Sequence, residues 1–154
     1  LYEAAAIVLH LVDTHRSGGL APDIGTAERA HFYKWLVWFA ASLVPQFQVY
    51  SYTERYLAPG NASGVAELKA AIEKKIEGLV DQIDAQLASH GGPWLMGERF
   101  SALDPYAFLL CRWTRGMQRP ARTLPQVAPF LQRVLARPAT QRVIATEQLS
   151  QPWV

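Results

Sequence analysis

The stretch Gly97-Glu98-Arg99-Phe100-Ser101-Ala102-Leu103-Asp104-Pro105-Tyr106 carries a helix start in nearly complete form. Ser101 stands where its hydroxyl can accept from the amide three residues on, and Asp104 where its carboxylate can reach back to the Ser101 amide. This is a capping box with Asp in place of Glu. Pro105 follows at a first-turn position, where no helical hydrogen bond is lost. The spacing predicts a helix through Phe108, Leu109 and Trp113 to about Gly116. Ser101 and Asp104 also have the residue types of a hydrolase triad, but they fit a structural cap far better.

The rest of the chain reads the same way. Upstream, Leu68, Ile72, Ile76, Leu79, Ile83 and Leu87 recur by threes and fours, an amphipathic helix opening at Ser63 or Gly64 and ending at Gly91-Gly92-Pro93. Its outer face is expected to carry Glu67, Glu73, Lys74 and Glu77. Before it, Thr26 caps a long segment whose apolar positions include Phe32, Trp35, Leu36, Phe39, Leu43 and Phe47. Pro45 should kink this segment, since the aromatic pattern runs on to Tyr56. A first helix covers Glu3 to Val12, before Ser17-Gly18-Gly19. Downstream, Pro125 to Ala136 and Ala139 to Leu149 complete the set, with Pro138 between them. No period-two alternation is sustained, so the fold class is all-α.

At 154 residues the chain has the size of one domain, and folding hides roughly 70% of its surface. No apolar run approaches the ~20 residues of a membrane span. One cysteine, Cys111, excludes an internal disulfide and a Cys-cluster metal site, and its mid-helix position reads as a small buried hydrophobe. No histidine pair has i, i+4 metal-ligand spacing. The chain opens at Leu1 without a basic-then-apolar leader, which with the lone cysteine predicts a cytoplasmic protein lacking a signal peptide. Net charge is +2, yet no acidic residue stands between Asp104 and Glu147, where Arg112, Arg115, Arg119, Arg122, Arg133, Arg137 and Arg142 fall. Such a run marks a solvated face, an anionic small ligand or nucleic acid. Thin aromatic interleaving disfavours nucleic acid. The surplus of aromatics from Trp35 to Tyr56 exceeds what a core needs and allows an aromatic-lined pocket.

The Gly97–Tyr106 stretch resembles the C-terminal domain of glutathione transferases, whose pattern is a Gly, two variable residues, an aromatic, Ser or Thr, and an Asp three beyond. Glu28-Arg29-Ala30 leading to Trp35-Leu36, Leu109 to Trp113, and Arg137-Pro138-Ala139-Thr140-Gln141-Arg142 are similar to further segments of bacterial members. The resemblance covers nearly the whole chain. It implies a helical bundle over 17–154, preceded at 1–16 by the last helix of a thioredoxin-like domain that itself lies outside this chain. It implies that glutathione is the co-substrate, with no covalently bound cofactor and no metal, and that no catalytic residue lies in this chain, which alone is expected to be inactive.

Tyr2-Glu3-Ala4-Ala5-Ala6-Ile7 resembles the segment that holds the γ-glutamyl end of glutathione in relatives, so Glu3 and Ala4 are the implied glutathione-binding positions. Ala4 lacks the usual hydroxyl, though a helix N-terminal amide still binds carboxylate. Val44 stands where beta-class-like members often place a His, and it cannot hydrogen-bond a thiolate. Val44, Phe47, Tyr52 and Trp113 are the expected pocket for an apolar electrophile, with Arg112 and Arg115 adding positive potential toward glutathione's carboxylates. The family's habit of dimerising through the first helix of this domain makes Phe32 and Tyr33 candidates for a homodimer interface. The competing reading is a non-catalytic docking module. A weaker one is an RNA or DNA binder through the Arg-rich third.

Overall fold

The computed structural model describes residues 1–154, in which seven α-helices pack without a β-sheet. Helix α1 (Ala4–Thr14) buries Val12 and rests Ala5, Val8 and Leu9 on the core. Helix α2 (Ala27–Trp38) opens as read, with the Thr26 hydroxyl accepting from the Arg29 amide at 3.1 Å. Arg29 is 3% exposed and ties α1 to α2, donating to Asp13 and to the Pro22 carbonyl (3.0 Å).

The kink predicted at Pro45 is present, but the distortion precedes the proline. Phe39–Leu43 forms a π-helical turn, and α3 (Val44–Ser51) restarts with Pro45 in its first turn. Pro45 has no N–H and its ring crowds the carbonyl four residues back, so widening that turn relieves the clash. Phe39, Leu43 and Phe47, spaced by four, all remain buried. A 3-10 turn over Thr53–Tyr56 carries the segment to the predicted stop.

Helix α4 (Ala62–His90) begins a residue or two before the expected start. Asn61, following the Pro59-Gly60 turn, accepts from the Gly64 amide at 3.0 Å and caps it instead of Ser63. Ile76, Val80, Ile83 and Leu87 are buried, while Leu68, Ile72 and Leu79 are half-buried. Glu73 and Glu77 do not lie on a free outer face. Glu73 accepts from the Gln118 amide at 2.6 Å, and Arg119 pairs with Asp81 (2.7 Å) and Glu77 (3.6 Å), because the connector after α5 crosses there.

Helix α5 (Leu103–Trp113) is the central helix, with Leu103, Asp104, Tyr106, Ala107, Phe108, Leu110, Cys111 and Arg112 buried. The capping box is half realised. Asp104 Oδ2 accepts from the Ser101 amide at 2.6 Å as predicted, but the Ser101 hydroxyl accepts from Leu103 (3.3 Å) rather than from the Asp104 amide. The Asp104 amide instead donates to the Ser101 carbonyl at 3.2 Å. Asp104 Oδ1 also accepts from the Leu95 amide at 2.8 Å, so one carboxylate clamps the 94–100 loop onto the helix. That loop closes by a Trp94–Gly97 bridge and lies so close to Gly92 that a Cβ there would stand 2.6 Å from the Gly97 carbonyl carbon.

Helices α6 (Val127–Leu135) and α7 (Pro138–Thr146) are shorter than predicted. Asp84 of α4 takes the Gln126 and Val127 amides (2.8 and 2.9 Å), fixing the start of α6. Gln148, at φ 49°, turns the chain away after α7. No helix is long and apolar enough to cross a membrane.

Candidate functional site

Two ring contacts fix the geometry around α5. Phe39 meets Tyr106 at 5.3 Å and Phe47 meets Trp113 at 5.3 Å, centroid to centroid. The α2–α3 segment and α5 therefore run side by side in the same direction. Where α3 ends and α5 gives way to the 3-10 turn Thr114–Gly116, the two open into a cleft of about 350 Å³, lined by Val44, Phe47, Gln48, Tyr50, Ser51, Tyr52, Trp113 and Arg115. That volume lies in the range of small-molecule sites, ~300–1,000 Å³.

All four residues singled out for an apolar ligand, Val44, Phe47, Tyr52 and Trp113, line this one cleft. They differ in exposure. Phe47 is 4% exposed and belongs equally to the core, whereas Tyr52 (46%) and Trp113 (40%) stand open at the wall. The guanidinium of Arg55 stacks 4.2 Å from the Tyr52 ring centre. Gln48 and Ser51, polar residues beside the aromatic pattern, carry no periodic signal and enter because the helix ends there. Tyr50 sits at the back beside Glu73, with Lys69 over its ring at 4.8 Å. Burial first, then the Glu73 carboxylate, pushes its phenol above its ordinary value, so Tyr50 is a neutral phenol near neutral pH.

Glu3 and Ala4 lie elsewhere, toward the Tyr106 end of α5. Burial, and secondarily the charge of Glu3, raises the Tyr106 phenol. From Tyr106 to Trp113 is roughly 10 Å along the helix axis at ~1.5 Å per residue. Glu3 is exposed and adopts φ 71°, ψ 109°, a conformation that costs a non-glycine residue ~1–3 kcal/mol. The helical ladder begins with the Ile7 amide donating to the Glu3 carbonyl (3.0 Å), and no side chain caps the first turn. Its amides are thus free to meet an anion.

Ser101 and Asp104 are buried in the cap described above, and neither lines the cleft of Tyr52 and Trp113. Cys111 is 2% exposed and burial pushes its thiol up to about 12, so it is a neutral packing residue. Phe32 is fully buried among core residues and is not an interface residue; its ring lies beneath α2 because it shares the face of Leu36 and Phe39. Tyr33 and Val37, four apart on the outer face, are the exposed apolar side chains of that helix. The arginine run does not form a single face: Arg119 joins Asp81, Arg133 donates to the Pro93 carbonyl (3.1 Å) and Arg137 covers Phe100 at 3.5 Å. Arg115 lines the cleft and donates to the Arg112 carbonyl, and Arg122 in turn donates to the Arg115 carbonyl (3.3 Å each).

Residues 66–137 match a family model described as glutathione S-transferase, C-terminal domain. The chain is 29% identical over 147 residues to the uncharacterized GST-like protein YncG of Escherichia coli K12, covering 96% of this chain and 68% of that protein. It is 25% identical over 149 residues to glutathione S-transferase GstA of Escherichia coli O157:H7, covering 97% and 69%. Among solved structures, BphK, a bacterial GST seen in a ternary complex, matches with a TM-score of 0.80 at 28% identity over 97% of this chain and 69% of that one. With the central capped helix, the kinked aromatic helix beside it and these relatives in agreement, the chain has the all-helical fold of the glutathione transferase C-terminal domain and is similar to that family over nearly its whole length.

Proposed function

We propose that this chain is the electrophile-binding part of a glutathione transferase, in which glutathione's thiolate attacks an apolar electrophile seated between Val44, Phe47, Tyr52 and Trp113. The observation that carries this reading is the convergence of those four side chains on one cleft, at the far end of the α5 groove from Glu3. Glutathione is the co-substrate. Its γ-glutamyl end lies against Glu3 and the free amides at Ala4, and the held φ of Glu3 preorganises that turn. Val44 has no polar atom and Tyr50 is a raised, neutral phenol beside a carboxylate, so neither is suited to activate a thiol. The activating residue is assigned to a thioredoxin-like domain to which 1–16 contributes the last helix, and the helical chain alone is read as turning over no substrate. The apolar outer face of α1, with Ile7 and Leu11 exposed, fits coverage by that domain. A break at Arg16–Gly18, with Gly19 at φ 62°, fits a boundary after residue 16.

The protein is read as a cytoplasmic homodimer in which Tyr33 and Val37, not Phe32, meet the partner. The same α1 face favours the second reading, a docking module without turnover. Conjugation of glutathione to 1-chloro-2,4-dinitrobenzene by the complete gene product separates the two. Turnover that falls at least tenfold in Trp113→Ala supports the enzyme. Absence of turnover, with glutathione and a stable partner protein both tested, overturns it in favour of docking.

A further inference from the structure

The cleft is apolar on one side only. Arg115 stands at its wall, half-buried, and of its guanidinium donors one is engaged, Nη1 to the Arg112 carbonyl at 3.3 Å. No carboxylate lies within ion-pairing distance of it. Behind it, Arg112 is 6% exposed, donates through Nη2 to the Ser150 carbonyl at 3.3 Å, and leaves its Nε without a partner. Arg122, itself exposed, donates to the Arg115 carbonyl at 3.3 Å. Arg55, exposed, stacks on the Tyr52 ring. Glu73, at the back, is committed to the Gln118 amide and Tyr50. A guanidinium taken from water normally finds a carboxylate, and Arg119 and Arg29 of this same chain do so. Arg112 and Arg115, neighbours without one, leave a positive potential concentrated at a low-dielectric aromatic wall.

We propose that the cleft selects aromatic electrophiles bearing an anionic group, a carboxylate or sulfonate, which Arg115 receives while Tyr52, Phe47 and Trp113 hold the ring. This rests on the reading of the cleft as the electrophile site and narrows it to a substrate class. Arg112, behind Arg115, adds to the positive potential that an anionic group meets there. The planar fork of Arg115 suits a carboxylate in two-point contact, which a lysine reproduces only as a point charge.

The test is calorimetric titration of the complete gene product with 2-naphthoate and with its neutral analogue 2-naphthamide, in 50 and 500 mM salt. The expected result is naphthoate binding about tenfold more tightly than the amide at low salt. The preference should shrink at high salt, vanish in Arg115→Gln and survive in part in Arg115→Lys. Circular dichroism shows whether each variant is folded, and the salt dependence of the native protein reads the same interaction without mutation. Equal affinities, or a preference unchanged in Arg115→Gln, overturn the anionic class and leave the apolar cleft standing. Failure of both ligands to bind overturns the electrophile site as well. Loss of the preference in saturating glutathione would assign Arg115 to glutathione's own carboxylate and likewise overturn the proposal.

Discussion

The indole of Trp113 meets the ring of Phe47 edge-on, centroids 5.3 Å apart and planes at 82°. One partner is core and the other is wall, since Phe47 is 4% exposed and Trp113 40%. Truncating them should therefore have different consequences. Phe47→Ala leaves a cavity and should cost ~3–5 kcal/mol in urea unfolding. Trp113→Ala forfeits the ring contact and partial burial, about 1–2 kcal/mol, and its larger effect should fall on affinity for a flat aromatic ligand. Equal losses of stability in the two variants would contradict this division.

Asp104 is fully buried and accepts from the Leu95 and Ser101 amides at 2.8 and 2.6 Å. Asp104→Ala strands both donors, at ~1–3 kcal/mol each, so a loss of about 3–5 kcal/mol is expected by denaturant titration. Burial outweighs these hydrogen bonds and the attraction of Arg137, holding the carboxyl above its ordinary value. The folded state therefore holds this proton more tightly than the unfolded state does. Asp104's contribution to stability is fully present below the ordinary carboxylate range and diminishes as pH rises through its raised folded value. The stability gap between the native protein and Asp104→Asn should narrow over that rise.

His31 links two helices through one nitrogen. Its Nε2 accepts from the Trp35 indole at 3.2 Å and lies 3.3 Å from the side-chain nitrogen of Gln86. A protonated imidazole cannot accept, and burial, then Lys34 and His90, lower the pKa of the group. The folded state thus resists protonation more than the unfolded chain. The stabilisation is whole above the ordinary His value of about 6.5 and is lost as pH falls toward the lowered one. Between pH 8 and pH 5 the native protein should lose about 1 kcal/mol more than His31→Gln, the worth of one hydrogen bond, as read from paired urea curves.

The contrast between Asp104 and Pro45 shows what was legible in the chain. The Ser101–Asp104 spacing announced a cap because such signals are local, whereas the further bond from the Leu95 amide, nine residues back, depends on how the loop folds. Pro45 announced a kink, but where the strain was released depended on Phe39, Leu43 and Phe47 all staying buried, which is a property of the packed bundle. The cleft's aromatic members were readable as surplus aromatics. Gln48 and Ser51 were not, since a polar residue lining a helix end carries no periodic signature. Phe32 was misread as a surface residue for a related reason: the aromatic pattern marks two adjacent faces of α2 and does not say which one the core takes.

Arg29 holds α1 to the bundle, and its contacts are one-sided in a way that can be measured. Its Nη atoms reach Asp13 and the Pro22 carbonyl, its guanidinium lies 4.8 Å from the Tyr33 ring centre, and its Nε has no partner. Asp13 is well hydrated by comparison, with 40% of its side chain exposed against 4% for the arginine. Removing Asp13 leaves a buried cation unanswered, whereas removing Arg29 leaves an anion that water can reach. Asp13→Ala should therefore destabilise at least as much as Arg29→Ala, within the ~3–5 kcal/mol of a broken buried pair. Arg29→Lys should not restore stability, because one ammonium cannot span Asp13, the Pro22 carbonyl and the Tyr33 face together. Amide hydrogen exchange should localise the effect, with faster exchange in α1 and unchanged protection in α4 and α5. Protection lost uniformly across all three helices would mean that α1 is no separable unit and that Arg29 stabilises the bundle as a whole.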